Sequence, residues 1–565
     1  MEAHKKTVAT IAATVRQFFA RREPYRIFHG STNSTRPRTA ATGHTRSVDI
    51  SALGHVLQVD KQARTALVEP NVPMDRLVAA TLRHGLVPPV VMEFPGITAG
   101  GGYAGTAGES SSFRHGFFDR TINRVEMVLA NGEVVEATPS ADDKRRNLFK
   151  GAAGALGTLG ITTLMELRLV PARKYVRTTY HRCNSVAETI QLIREKTDLA
   201  TAQSNKKETN ASDYVDGILF SKDHGVVVTG EMTDDEPPPG QHIQTFSHPR
   251  DPWFYLHVQD RTSSLSSSSP SSPSSPSSPS SPPVVEYIPL AEYLFRYDRG
   301  GFWVGRSAFS YFPFPFNKWT RWFLDDFLHT RMLYKALHAS GQSATYIVQD
   351  LALPYRTAEA FVDYTAETFG IWPLWLCPLQ APEQPTFHPH EKRVPEAGPS
   401  MTESNTTSSA SSASYSSSPL ASTPISTSTA ASSASASSEP LLNIGLWGRG
   451  PAGADADRCV ALNRDLEHRL AHQFGGMKWF YAHAYYDEDL FWKIYDKPAY
   501  DALRTKYHAT TLPSVYDKIK VNTGRSAASG ASSMWKTRWP FAAFYGLRQA
   551  IKSKAYLPRT PPWRE

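Results

Sequence analysis

Seven glycines, one glutamate and three consecutive serines crowd into the 22 residues PGITAGGGYAGTAGESSSFRHG, Pro95–Gly116. No long regular element accommodates such a run, because glycine gives up the most backbone freedom on ordering and has no Cβ to pack. A segment of this kind marks close approach of backbone to something else. On both sides the pattern turns to short strands. HVLQVD and ARTALVEP (55–60 and 63–70) predict a hairpin around Lys61-Gln62, and RVEMVLANGEVVEATP (124–139) predicts a second one turned at Asn131-Gly132. Met74, Leu77, Val78 and Leu82 recur on one helical face that ends at Gly85, and GITTLMELRLVPA (160–172) reads as a further strand. The first 172 residues are therefore α+β, with local antiparallel pairings.

Gly100-x-Gly102-x-x-Gly105 formally matches the dinucleotide fingerprint. That fingerprint needs a strand before it and a helix after it within a βαβ unit. Here a Pro-rich stretch, LVPPVVMEFP, precedes and an antiparallel hairpin follows, so a doubly wound fold is not expected. A tight loop with nothing bound is the plain alternative. Against it stand two further loops of similar chemistry. HGSTNSTR (29–36) offers Gly30, Ser31, Thr32, Asn33 and Ser34, and GAAGALGTLGI (151–161) carries Gly151, Gly154, Gly157 and Gly160. Three such loops in one small α+β unit would supply a nest of N–H donors for a pyrophosphate and let backbone approach a flat ring.

From about residue 173 to 500 aromatics become dense, as in FWVGRSAFSYFPFPFNKWTRWFLDDF, IWPLWLCPL and KWFYAHAYYDEDLFW. This predicts a second, apolar unit able to line a greasy site. Two segments, 262–283 and about 395–440, are almost entirely Ser, Pro, Thr and Ala, and are expected to be disordered insertions because they bury too little apolar surface to order. Lys+Arg exceeds Asp+Glu by 61 to 53, a spread surplus that suits an anionic cofactor or membrane surface and argues against nucleic acid. Three distant cysteines, Cys183, Cys377 and Cys459, form no CxxC pair, so neither a disulfide framework nor a metal site is expected.

The order HGSTNSTR, VDISAL, VEPNV, ITAGGGYAGTAGESSS, ANGEVV and GTLGI resembles the flavin domain of the PCMH-type, vanillyl-alcohol-oxidase-like FAD family. GTAGESSSFRHGFF, PARKYV, EYIPL, IVQDLALPY, WPLWLCP and the block Tyr481-Ala-His-Ala-Tyr485…Phe491-Trp492 resemble the Δ24-sterol reductases within it, over about residues 25–520. The resemblance implies an α+β architecture of an FAD-binding domain (25–172) and a substrate or cap domain (173–520) carrying both insertions. An N-terminal helix (1–24) would precede these domains, and a linker with a basic aromatic tail (521–565) would follow. It also implies that Thr98–Ser112 runs along a non-covalently held FAD. Gly100, Gly101, Gly102, Gly105 and Thr106 would then lie at the pyrophosphate and flavin, Glu109, Ser110, Ser111 and Ser112 at the ribityl chain or ring edge, and Gly157, Gly160 and Ile161 in the third loop.

By the same resemblance the reaction is reduction of an isolated C=C bond of a sterol or isoprenoid, with NADPH as donor. Such an alkene has no electron-withdrawing group, so the flavin would supply hydride and the protein a proton. Tyr481, His483, Tyr485 and Glu109 are the candidate acids. A tyrosine with a pKa near ~10 needs a network to serve, and His483 is the expected relay. Core aromatics with satisfied hydroxyls are the structural alternative. Animal members carry an N-terminal membrane helix. Here the first residues read as amphipathic, and the tail MWKTRWPFAAFYGLRQAIKSKAYL (534–557) is the expected peripheral membrane contact, giving a cytoplasmic or endoplasmic-reticulum-associated protein. Two rival readings stay open. A flavin oxidase or dehydrogenase of an alcohol or secondary metabolite would be reduced by substrate, and a non-enzymatic binding protein would be colourless.

Overall fold

The computed structural model describes residues 1–30, 46–198, 212–263, 283–311, 314–333, 345–382, 386–391, 439–521 and 561–564. The α+β expectation holds. Both predicted hairpins form: β3 (Val56–Asp60) with β4 (Thr65–Val68), and β6 (Ile122–Leu129) with β7 (Val134–Ala137). The strand β8 (Gly160–Arg168) joins them into one antiparallel sheet of order β3-β4-β8-β6-β7. Two strands not foreseen, β1 (Tyr25–Phe28) and β2 (Arg46–Asp49), pair in parallel, and the short strands β5 (Leu86–Val87) and β9 (Val170–Pro171) pair antiparallel. Helix α1 (Glu2–Ala20) belongs to the same layer. It buries Val8, Ile11, Ala12 and Val15, and its His4 sits between Glu69 at 2.8 Å and Glu126 at 3.1 Å. The Asn131-Gly132 turn is pressed against it: a Cβ on Gly132, whose φ is +82°, would stand 2.3 Å from Arg16 Cγ.

Helix α2 (Met74–Leu82) ends as the pattern predicts, with Gly85 left-handed at φ +71°. The glycine segment is more ordered than a loop. Thr98 caps a short helix α3 (Ala99–Ala104) by accepting from the Gly101 N–H, and a second short helix α4 (Ser112–His115) follows the serines.

The larger sheet has eight antiparallel strands in the order β13-β10-β12-β11-β15-β16-β14-β17. In chain order these are β10 (Tyr175–Cys183), β11 (Tyr214–Ser221), β12 (His224–Thr233), β13 (Val284–Pro289), β14 (Tyr346–Pro354), β15 (Leu374–Leu379), β16 (Leu441–Arg449) and β17 (Met477–Lys478). Strand alternation sorts its two faces. Val215, Leu219, Ile347, Leu351, Leu376, Ile444 and Leu446 point to one side, where the helices Val186–Thr197, Tyr355–Thr368 and Ala456–His472 cover them. The residues between them, Tyr214, Val348, Trp375 and Trp447 among others, join the core shared with the first sheet.

The helix Phe254–Ser263 extends the ordered chain to residue 263, with Thr262 buried and its hydroxyl donating to the Val258 carbonyl at 2.8 Å. The first Ser/Pro insertion therefore starts after Thr262, not at it. What remains of it (264–282) and most of the second (392–438) lie outside the described residues, as do the spacer and tail, 522–560. Both rims of the second insertion meet Arg356, which pairs with Glu391 and, at 3.7 Å, with Glu439. Beyond the tail the chain returns: Trp563 stacks on Phe295 at 4.6 Å and Arg564 Nε donates to Glu292 at 3.1 Å. Among the described residues no helix is long and apolar enough to cross a membrane.

Candidate functional site

Two of the three glycine-bearing loops come together, and the first starts near them. The Gly154 N–H donates to the Tyr103 carbonyl at 3.3 Å and the Leu156 N–H to the Ala104 carbonyl at 3.4 Å, which lays the third loop along the glycine segment. Ile27, at the end of β1, touches the same loop: a Cβ on Gly157 would lie 2.6 Å from its Cδ1. The first loop thus starts beside the other two at Gly30, which is left-handed at φ +78°. Ser31, Thr32, Asn33 and Ser34 lie outside the described residues.

What approaches most of these glycines is the chain itself. A Cβ on Gly100 would meet Pro70 at 2.7 Å, on Gly102 Met92 at 2.4 Å, on Gly105 the Gly101 carbonyl at 2.9 Å, and on Gly160 the Val128 carbonyl at 2.8 Å. Ile161 is wholly buried, paired with Val128 in the ladder. Ser111 donates to the Pro89 carbonyl at 2.8 Å, Ser112 accepts from the Glu109 N–H at 2.8 Å, and Ser110 is buried with its carbonyl taking the Val215 N–H. Gly101 differs. It is exposed, and a Cβ there would meet only its own cap, Thr98 Oγ1 at 3.2 Å, and Ile97 at 3.9 Å. That open backbone at the junction of three loops fits an elongated cofactor with a pyrophosphate.

Facing the loops, the alternation of the large sheet gathers polar side chains from separate strands. Asp216 (β11), Asp350 (β14) and Asn443 (β16) share a face with Trp375, Cys377 and Trp447. Glu93 and Glu109 arrive from the glycine-segment side. The carboxyls of Glu93, Glu109, Asp216 and Asp350 all push the Cys377 thiol well up, after its burial, so the four surround one point. Among them lies Arg296, 1% exposed, 3.0 Å from Glu93 and 3.1 Å from Asp216, with its guanidinium 4.1 Å from the Tyr293 ring centre. Asp216 also accepts from Tyr297 at 2.7 Å and from the Trp375 indole at 3.1 Å. Burial pushes Glu93 up to about 8 and Glu109 well above the carboxylate range.

Tyr481 occupies the neighbouring corner. β17 pairs with β14, and the Trp479 N–H donates to the Asp350 carbonyl at 3.2 Å, which carries the following residues past the Asp350 side chain. Tyr481 hydrogen-bonds that carboxyl and accepts from the Trp447 indole at 3.2 Å. Asn443 Nδ2 donates to Asp350 at 3.3 Å. Withdrawal from water outweighs both hydrogen bonds and pushes Asp350 up to about 7, so it titrates near neutrality. The Trp447 ring lies over Gly445, where a Cβ would be 2.6 Å from it.

His483 lies in the turn that follows Tyr481. His483 gives its carbonyl to Lys478, whose ammonium also meets Glu467 at 2.6 Å, and Glu467 takes the Tyr485 N–H at 2.8 Å. That buried pair fixes the turn bearing Tyr481, and the partner at the tyrosine hydroxyl is Asp350. Burial raises the Tyr485 hydroxyl well above the ordinary phenol range. Phe302, Trp303, Trp375 and Trp447 wall the corner, with ring centres 4.5–5.8 Å apart.

Comparison with known proteins agrees with this arrangement. A family model described as an FAD binding domain matches residues 3–138, a span that takes in α1 and the glycine segment. The chain is 26% identical over 472 residues to the Delta(24)-sterol reductase of Macaca fascicularis, covering 82% of this chain and 76% of that protein. It is 27% identical over 486 residues to the Delta(24)-sterol reductase of Arabidopsis thaliana, covering 84% and 76%. A shorter match, 29% over 188 residues, joins 31% of the chain to 34% of cytokinin dehydrogenase 9 of Oryza sativa subsp. japonica. The resemblance read from the motifs is borne out.

Proposed function

We propose that this chain, an FAD-binding relative of the Δ24-sterol reductases, reduces the isolated C=C bond of a sterol side chain or similar isoprenoid, with NADPH as hydride source. The observation that carries the reading is a buried carboxyl among aromatic rings, Asp350 hydrogen-bonded to Tyr481 and pushed up to about 7. Bound FAD, held without a covalent link at Gly101 and the surrounding loops, would supply hydride. The remaining work falls to the chain. Phe302, Trp303, Trp375 and Trp447 exclude water and receive an apolar tail. Tyr481 presents its hydroxyl proton to the alkene carbon that needs it, and Asp350 reprotonates Tyr481. Trp447 fixes the tyrosine oxygen by donating to it, so the O–H is directed away from the indole. The Arg296 cluster positions Glu93 and Asp216 and keeps the wall between loops and sheet rigid. Such a protein would meet its substrate at a membrane surface.

Anaerobic stopped-flow tests this. NADPH should bleach the flavin absorbance, and a sterol with a Δ24 double bond should restore it while being saturated. A second reading is oxidation of a substrate with oxygen as acceptor, and the partial match to a cytokinin dehydrogenase favours its first half, dehydrogenation. Bleaching by an alcohol or amine substrate alone, with no response to NADPH, would establish that reading and overturn the reductase.

A further inference from the structure

Among the described residues eight large hydrophobic side chains are exposed, and four of them lie within ten residues: Phe314 (48%), Trp319 (68%), Trp322 (46%) and Phe323 (78%). Scattered exposed apolar groups are ordinary, whereas a cluster signals a contact surface. Trp319, Trp322 and Phe323 stand at i, i+3 and i+4 of the helix Lys318–Phe323, on one face, and this helix buries no residue at all. It is nonetheless firmly built. Asn317 and Thr320 form a reciprocal cap at its start. Beneath it Phe316 packs edge-on against Trp253 at 5.5 Å and Phe309 at 5.0 Å. The apolar face of a rigid element is therefore turned outward, the reverse of what packing normally selects.

We propose that this helix is the site at which the protein docks on an anionic phospholipid surface. Three cations ring the aromatics: Lys318, Arg306 and Arg321, the last two lying over the Phe316 ring at 5.3 and 4.9 Å. The neighbouring Asp325 is turned inward and neutralised by Arg299 at 2.8 Å. Tryptophan at the headgroup level with cations beside it is the chemistry of an interfacial anchor. A second copy of the same patch would oppose these cations to each other, on a chain already carrying a net charge of +8.

The position of the patch carries the inference further, and this step rests on the reductase reading. An unbroken series of aromatic contacts leads inward from it. Phe316 meets Trp253, Trp253 meets Tyr255 at 6.4 Å, Tyr255 meets Trp303 at 6.2 Å, Trp303 meets Trp447 at 5.6 Å, and Trp447 donates to Tyr481. The patch and the tyrosine are thus joined by one continuous aromatic core. The tail at 534–557 is the rival contact.

Flotation of the full-length holoprotein with vesicles of phosphatidylcholine, with and without about 30 mol% phosphatidylserine, tests the proposal. The wild type should float with the anionic vesicles and release in high salt. Trp319→Ser/Trp322→Ser/Phe323→Ser should float at least about 10-fold less, because the interface gains little without buried aromatic area. Its flavin content and melting temperature should not change. Lys318→Glu, a milder variant, should weaken binding to the anionic vesicles alone. Undiminished flotation of the triple variant overturns the proposal. So does loss of flotation on deletion of 522–560 alone, or conversion of a dimer to a monomer by the triple variant with flotation intact. Turnover of a Δ24 sterol in detergent micelles separates the two readings. Its absence in the wild type removes the reductase and leaves vesicle docking to stand or fall by flotation.

Discussion

Trp479 donates its indole N–H to the carbonyl of Thr106 at 2.8 Å, joining the aromatic block to the glycine segment across 373 residues of sequence. Thr106 has φ +50°, a conformation that non-glycine residues rarely hold without support. Trp479→Phe keeps most of the ring but leaves a buried carbonyl without its donor. It should lower stability by about 1–3 kcal/mol and speed the loss of flavin on dilution. Thermal melts and flavin fluorescence measure both, and retention of cofactor at wild-type rate would show that the contact is incidental.

Asp350 titrates at about 7 and must be protonated to restore the proton on Tyr481. The turnover step that follows flavin reduction should therefore be fast below pH 7 and slow above it. Asp350→Asn cannot relay a proton, and should fall by about 10²–10⁴-fold with a flat pH profile. Tyr481→Phe should fall comparably. A wild-type slope persisting in Asp350→Asn would assign the titration to another group.

Glu93 is held up at about 8 by burial, against an ordinary value of 4.5. Its folded pKa is raised, so its favourable contribution is complete below pH 4.5 and is lost as pH rises to 8. The melting temperature should decline across that window, and Glu93→Gln should remove a part of the decline equivalent to a few kcal/mol. Arg296 keeps Asp216 as its partner in that variant. Parallel pH curves for the two proteins would disprove the assignment. Removing Arg296 instead leaves Glu93 and Asp216 buried without their cation, and Arg296→Met should destabilise by about 3–5 kcal/mol.

The glycines separate into two kinds of position. Gly101→Val adds bulk where only Thr98 and Ile97 are near, so the protein should fold but lose FAD. Gly102→Val drives a side chain into Met92 and Phe118 and should fail at folding. Flavin absorbance set against a circular dichroism melt distinguishes them, and a fully flavinylated Gly101→Val protein would overturn the placement of the cofactor.

Much of this was legible in the chain. Lys61-Gln62, Asn131-Gly132 and Gly85 punctuate local elements, and local elements are what turn chemistry reports. The aromatic blocks and the tyrosine at 481 stood out for the same reason. The charged cluster did not, because Asp216 and Asp350 meet only through the strand order β11-β15-β16-β14, and Glu93 and Arg296 join them from turns far away in sequence, which no short pattern encodes. A weak signal was nevertheless present three times. YVDGILF, IVQDLALP and LLNIGLWG are apolar strands each interrupted by a polar residue, Asp216, Asp350 and Asn443 (with Gln349 beside Asp350). A strand buried on both faces tolerates such a residue only where partners await it. Asp350 escaped notice as a partner of Tyr481 because it lies 131 positions away, whereas His483 stands in the same short block.

Arg356 touches both Glu391 and Glu439, so the chain leaves and re-enters the body of the protein within the span of one guanidinium. As exposed ion pairs these contacts add little energy. Their meaning is geometric. The 47 residues from 392 to 438 close a gap that a short turn could bridge, and lengthening such a closure raises its entropic cost only logarithmically. The position is a natural port. A fluorescent reporter or another folded unit whose own ends lie close together could be spliced in at 391 and 439 without disturbing the register of β15 with β16.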